Sequence, residues 1–145
     1  MSFLSLIFGE WIYKPYSKII YIILLLKGIK VEKNLYIQGL VKLKIRGKSK
    51  DIKIGDNVSI NGNIDIRNRE NGKIIIDQDV SIDTNSRFVS ANEATLNIGK
   101  GCKIGPYSIF NCGEDIIIGE DSIFGGYCYF QSSNHGIKKG EIIKF

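Results

Sequence analysis

The chain has 145 residues, a net charge of +5 and an apolar content of 43%. This length suits one domain with its own core, and this composition excludes disordered, collagen-like and proline-rich classes of protein. A single histidine cannot supply the two or three imidazoles of a zinc site, so no metal is expected. The three cysteines, Cys102, Cys112 and Cys128, lack metal-ligand spacing and are odd in number, which favours a reducing, cytoplasmic location.

The positive charge is concentrated near the amino terminus. Residues 1–53 carry 11 basic and 3 acidic side chains, a net charge of +8, whereas residues 54–145 carry 9 basic and 12 acidic ones, a net charge of −3. The basic part also contains the most apolar segment, so it predicts a surface for anionic lipid or for a polyanionic glycan carrier. Nucleic acid is not expected as a partner, because no nucleic-acid-binding motif accompanies the charge.

Residues 1–34 are predicted to form an N-terminal amphipathic helical segment. Charged residues and Pro15 interrupt this segment, so it is too polar to be a spanning helix. Proline near a helix start and Gly28 just past a helix end predict a helix from about Tyr16 to Lys27. We expect this helix to cap the open end of the following domain, to contact a membrane surface peripherally through residues 1–30, or to do both.

The second domain is predicted over residues 35–145, and residues 35–51 are interpreted as its irregular opening coil. Leu43 and Ile45 are expected to point inward. The basic residues that alternate with them indicate a solvated face, and lysines at a sheet edge also prevent edge-to-edge pairing. These basic residues are Lys42, Lys44, Arg46, Lys48 and Lys50.

A repeat over residues 52–135 is the strongest signal in the sequence. Four segments align, 52–73, 74–95, 96–115 and 116–135, and large apolar residues recur at every sixth position within each. They are Ile54, Ile60 and Ile66; Ile76, Ile82 and Phe88; Ile98, Ile104 and Phe110; and Ile118, Phe124 and Phe130. A period of six fits neither an amphipathic helix nor a long alternating strand. It predicts units of one short strand and one turn, with three units in each coil of a solenoid.

Stacked coils place equivalent side chains in columns inside a three-sided tube. Cys102 and Cys128 fall at inward positions, so they are predicted to be small core residues and not reactive thiols. Tight turns explain the glycines that follow apolar core positions, namely Gly55, Gly99, Gly105, Gly119 and Gly125. The periods between segments exceed 18 residues by 4, 4 and 2, and we expect this excess at one corner, where stacked loops can frame a site.

The iterated Ile-Gly-x-x-x-x pattern resembles that of the hexapeptide-repeat acyltransferases over about residues 35–135. The resemblance implies an all-β fold, a left-handed parallel β-helix, here with an N-terminal α-helical cap. The sequence SSNHG at 132–136 is similar to the O-acetyltransferase branch with galactoside, serine and nodulation-factor enzymes. The apolar leader and KGIKVEKNLYIQG at 27–39 resemble the branch that acts on sugars of capsule, lipopolysaccharide or exopolysaccharide.

In the O-acetyltransferase branch, a histidine at the position of His135 is the catalytic base. Asn111 is the nearest match to an asparagine that contacts the acceptor sugar one coil before the histidine. Asp115, together with Glu114, falls at the same corner and could orient the imidazole or bind sugar, although a solvated loop carboxylate fits equally. Asn134 is a second candidate for acceptor binding, or a turn residue that tolerates positive φ.

The resemblance further implies acetyl-CoA as co-substrate, a homotrimer with sites at the clefts between subunits, and a backbone N–H near Gly136 as oxyanion donor. The expected function is transfer of an acetyl group to a sugar hydroxyl of a polysaccharide or lipopolysaccharide precursor, in the cytoplasm at the inner membrane face. Members of the family usually continue for several coils after the histidine, and those coils bind acetyl-CoA. We therefore expect a C-terminal truncation here and assign no acetyl-CoA-binding residues. Amino-sugar N-acetylation and a non-catalytic scaffold remain the alternatives.

Overall fold

The computed structural model describes residues 9–132, which form one N-terminal helix and three parallel five-stranded sheets. Sheet A contains β1 (Lys30–Val31), β4 (Ile52–Ile54), β7 (Lys73–Ile76), β10 (Thr95–Ile98) and β13 (Ile116–Ile118). Sheet B contains β2 (Tyr36–Ile37), β5 (Ser59–Asn61), β8 (Ser81–Asp83), β11 (Lys103–Ile104) and β14 (Ile123–Phe124). Sheet C contains β3 (Val41–Ile45), β6 (Ile64–Asn68), β9 (Ser86–Ser90), β12 (Ile109–Cys112) and β15 (Tyr129–Gln131). Every third strand pairs in parallel, so the chain is a β-solenoid, and the predicted all-β fold class is confirmed.

The strand registers superpose the apolar residues that recur every six positions. In sheet A the inward column is Val31, Ile54, Ile76, Ile98 and Ile118. In sheet B it is Ile37, Ile60, Ile82, Ile104 and Phe124. In sheet C it is Leu43, Ile66, Phe88, Phe110 and Phe130. Apart from Phe130, the residues of the three columns belong to one continuous core that no single coil could bury alone.

Small residues occupy the inward positions near the corners of the tube. Cys102 and Ser108 are fully buried, and the Ser108 hydroxyl donates to the Gly105 carbonyl at 2.8 Å. The coils approach so closely at the turns that a Cβ on Gly55 would lie 2.6 Å from the backbone nitrogen of Gln78. A Cβ on Gly105 would lie 2.5 Å from the carbonyl carbon of Gly125. At Gly55 and Gly105 the neighbouring coil therefore leaves no room for a side chain, whereas a Cβ on Gly119 or Gly125, in the last described coil, would meet no atom within 4 Å.

Helix α1 (Tyr13–Leu26) covers the N-terminal end of the tube. It begins three residues before the predicted start, directly after a 3₁₀ turn at Gly9–Ile12, and Gly28 with φ +79° ends it. The Ser17 hydroxyl oxygen accepts from Ile37 N–H at 2.8 Å, and the same hydroxyl lies 3.2 Å from the Ile37 carbonyl. β2 is the first strand of sheet B, so no strand of a preceding coil pairs with it, and Ser17 provides hydrogen bonds in place of that strand. The buried Leu24 covers the end of the apolar core. In the described part of the chain, no helix has the length and apolarity needed to cross a membrane.

The residues in excess of 18 per coil fall at the corner between sheets C and A, as expected. They form the loops at 69–72, 91–94 and 113–115, each between a strand of sheet C and the next strand of sheet A. Glu70, Asn92 and Glu93 adopt positive φ in these loops. The Glu70 and Glu93 side chains link one loop to the next, since a Glu70 carboxylate oxygen accepts from Asn92 N–H at 2.9 Å and a Glu93 carboxylate oxygen accepts from the Asn71 side-chain amide at 3.1 Å. We call this stack of loops the C–A corner. Asn111, Glu114 and Asp115, which the sequence predicts as candidate site residues, lie in it or next to it.

Candidate functional site

Asn111 lies at the C–A corner, on the outer face of sheet C. It sits near the end of β12 and pairs in register with Gln131 of β15. The Asn111 side-chain amide donates to the Tyr129 hydroxyl at 3.5 Å, and that hydroxyl donates to the side-chain carbonyl of Gln131. Two amides on adjacent strands, joined through a phenol, provide both donors and acceptors of the kind that bind sugar hydroxyls.

Asp115 and Glu114 follow on the far side of the same corner. One Asp115 carboxylate oxygen accepts from Thr95 N–H at 2.7 Å, so this side chain anchors the start of β10 in the preceding coil. Asp115 is exposed, and its bond to Thr95 N–H uses only one of its two carboxylate oxygens. Glu114 contributes its backbone to the corner, where its carbonyl accepts from the Ser132 hydroxyl at 2.5 Å.

Ser132 is the last residue that the structure describes, and it is hydrogen-bonded to this corner. Its hydroxyl oxygen accepts from Gly113 N–H at 3.2 Å and from Glu114 N–H at 3.1 Å, and its own N–H donates to the Asn111 carbonyl at 3.1 Å. His135 and Asn134 lie outside the described residues.

A groove of about 360 Å³ runs along the outer face of the C–A corner. Arg69, Asn92, Asn111 and Gln131 are among the residues that line it. Of these four residues, the sequence analysis predicts only Asn111 as a site residue. Gln131 could have been found from the 20-residue period, which places it directly above Asn111, and Arg69 from the loop two coils earlier.

Cys112 beside the groove is a structural thiol. It is buried, and its sulfur donates to the Glu114 carbonyl at 2.9 Å. Burial raises the pKa of the Cys112 thiol, so it is protonated at neutral pH and is a poor nucleophile. Over residues 9–132, no group of three or more His, Cys, Asp or Glu side chains is placed to hold a metal ion.

The outer face of sheet C becomes strongly basic towards the N-terminal end. Lys44, Arg67 and Val89 occupy the same outward column as Asn111, and Arg46 and Arg69 follow the ends of β3 and β6. Neighbouring cations, Arg46 foremost, lower the pKa of Lys44. The face therefore concentrates positive potential beside the groove, which favours ligands that carry negative charge.

Asp65 is the acidic centre of this basic face. Its two oxygens accept from Arg67 Nε at 2.9 Å and Arg67 Nη2 at 2.6 Å, and Arg87 Nε lies 3.2 Å away. The hydrogen bond from Arg67 lowers the pKa of Asp65 below its ordinary value of 3.8. A carboxylate whose pKa is lower in the folded state stabilises the fold above its unfolded pKa, and this contribution is lost as pH falls through the folded value.

We expect Asp65→Asn to cost about 1 kcal/mol of unfolding free energy at pH 7, because solvent screens part of the ion pair. The difference between wild type and variant should begin to shrink below about pH 4, where the carboxylate of the unfolded chain becomes protonated, and should be lost as pH falls through the lower pKa of the folded state. Urea unfolding at pH 7 and at pH 3 measures it, with Glu120→Gln, an exposed carboxylate in a turn, as the matched control. An equal difference at both pH values would contradict the role of the charged pair.

Comparisons of the chain with protein-family models, with curated proteins and with solved structures found no match.

Proposed function

We propose that the protein is an O-acetyltransferase that moves an acetyl group from acetyl-CoA to a sugar hydroxyl of a polysaccharide or lipopolysaccharide precursor. The observation that carries this proposal is the register of β12 and β15. It brings the amides of Asn111 and Gln131 side by side at the corner from which the chain continues to His135. A parallel β-solenoid is also compatible with the hexapeptide-repeat transferases that the sequence resembles.

His135 is the proposed general base. Neutral imidazole, with an unperturbed pKa of about 6.5, accepts the proton of the sugar hydroxyl as its oxygen attacks the thioester carbonyl carbon. The tetrahedral oxyanion then collapses, the carbon–sulfur bond breaks, and the CoA sulfur takes the proton from the imidazolium. A backbone N–H near Gly136 is the proposed donor to the oxyanion.

The groove supplies the proposed acceptor site. The amides of Asn111 and Gln131 suit sugar hydroxyls, Asn134 is a further acceptor contact, and Asp115 is retained as a sugar ligand or an orienting carboxylate for His135. Arg69 lies at the end of the groove nearest the basic face, which suits an acceptor with a phosphate or carboxylate group. We also propose a homotrimer, in which a neighbouring subunit completes each site at the cleft.

The experiment is a transfer assay with the purified chain, acetyl-CoA and matched pairs of hydroxyl-sugars and amino-sugars. We expect release of free CoA thiol with hydroxyl-sugars and an acetylated product that mild base hydrolyses, as an ester requires. Acceptors with a phosphate group should react better than their neutral counterparts, and this preference should weaken as salt rises. A reaction without sugar is the control for thioester hydrolysis.

Two results would replace the proposal by its alternatives. A base-stable product formed only with amino-sugars would identify N-acetylation. No thiol release with any acceptor, together with no binding of acetyl-CoA in a calorimetric titration, would identify a non-catalytic scaffold.

A further inference from the structure

Helix α1 has one buried face and one exposed apolar face. Ser17 and Leu24 are buried against the end of the tube. On the other side, Ile22 and Leu26 are 54% and 83% exposed, and Trp11, in the 3₁₀ turn that precedes α1, is 79% exposed. Pro15 and Ile19 complete the spacing of three or four residues that aligns side chains on one face of a helix. A helix that exposes this much contiguous apolar surface is typical of a binding surface for another molecule or a membrane.

Lysines surround this exposed face. Lys14 and Lys18 are exposed on α1 itself, and Lys27 follows its last residue. The Lys14 ammonium lies 5.5 Å from the centre of the Trp11 ring. The edge strands at the same end of the tube, β1 and β3, add the exposed Lys30 and Lys42. Five of the eleven basic side chains of residues 1–53 thus lie on α1 or at the end of the tube that α1 covers.

We infer that this end of the solenoid docks on an anionic lipid surface, with α1 lying in the membrane interface. An amphipathic helix with an apolar face bordered by lysines binds in this way, and tryptophan favours the boundary between acyl chains and headgroups. The helix has 14 residues, fewer than the roughly 20 needed to span a bilayer, so it lies along the surface. The docking does not depend on acetyl transfer.

Charge distinguishes this occupant from a second copy of the chain. Two copies joined through α1 would place their lysines opposite each other, and like charges oppose such an interface. Residues 1–8, the segment MSFLSLIF, contain no acidic side chain, so they would leave the lysines without counter-charges. An anionic bilayer satisfies both parts of the surface, with acyl chains for the apolar stripe and headgroups for the lysines.

Trp11 is the single tryptophan of the chain and therefore reports on this surface directly. The test titrates the full chain with vesicles of phosphatidylcholine and phosphatidylglycerol, and with vesicles of phosphatidylcholine alone. We expect a blue shift of Trp11 emission and co-sedimentation with the anionic vesicles, both reduced at high salt, and at least about tenfold weaker binding to the neutral vesicles.

The double variant Ile22→Ser with Leu26→Ser keeps Trp11 as the reporter and removes exposed side chains that contribute little to the fold. It should bind anionic vesicles about tenfold or more weakly than wild type. Ile117→Ser is the matched control, because Ile117 is 73% exposed on sheet A at the opposite end of the tube. Circular dichroism confirms that each variant is folded.

Three results would overturn the inference. The first is failure to bind anionic vesicles at low salt. The second is an equal loss of binding in the Ile117→Ser control. The third is Trp11 emission that is already blue-shifted and protected from acrylamide without vesicles, which would mean that residues 1–8 or a second copy cover the face. Light scattering separates these two occupants, because only the second copy doubles the mass.

Discussion

Replacing His135 with alanine is expected to lower turnover of acetyl transfer by about 10²-fold or more, the usual contribution of a general base. The sugar hydroxyl has a pKa far above 7, so without a base it attacks the thioester while still holding its proton. The chain has a single histidine, and no other side chain in it has an unperturbed pKa near neutrality to take this role. The measurement is the rate of CoA thiol release at saturating acetyl-CoA.

The pH profile separates loss of a base from loss of structure. The base acts in its neutral form, so wild-type turnover should rise with pH through about 6.5 and then level off. The His135→Ala variant should lack this rise, and its residual rate should increase only as hydroxide becomes available. A merely structural histidine would lower the rate without changing the shape of the profile.

Lys139→Ala is the matched control for His135→Ala, since it alters the same segment of sequence without removing a base. It should keep the wild-type rate and pH profile, and acetyl-CoA should bind all three proteins with similar affinity. Full activity in His135→Ala would remove this residue from the mechanism.

The columns of the core could be predicted from the sequence because burial imposes a strict period. A large side chain at every sixth position has one inward direction in a three-sided coil, so Ile54, Ile76, Ile98 and Ile118 had to superpose. The loop corner followed from counting residues beyond 18 per coil. The start of α1 was predicted three residues late, because the 3₁₀ turn at Gly9–Ile12 runs directly into the helix and Pro15 is accommodated in its first turn.

The polar groups of the candidate site were less predictable, because outward residues follow no burial constraint. Asp115 was selected for its place at the corner, and its bond to Thr95 N–H depends on a backbone donor that sequence does not reveal. Gln131 was missed although the 20-residue period places it beside Asn111, because the sequence interpretation followed the period only for the inward, apolar residues. The hydrogen bonds between Ser17 and Ile37 could not be predicted either, because they depend on β2 being an edge strand, which is known only once the coils are assembled.

Phe110→Ala is expected to cost about 3–5 kcal/mol of unfolding free energy, as for other fully buried phenylalanines. Phe110 is 0% exposed and lies at the centre of the aromatic column in sheet C. Its ring centre is 5.4 Å from that of Phe88 and 4.9 Å from that of Phe130, and the Phe124 ring packs edge-on at 5.9 Å. Removing this ring leaves a cavity that the rigid stack of coils cannot close. Urea unfolding followed by circular dichroism measures the loss.

Phe130→Ala is the matched comparison, because it removes the same side chain from the same column one coil later. Phe130 is 37% exposed in the described residues, so its removal should cost less than half as much as that of Phe110. Phe110 packs against Phe88 in the preceding coil and Phe130 in the following one, so its removal weakens the contacts with both neighbouring coils. Equal costs for the two variants would contradict the gradient of burial along the column.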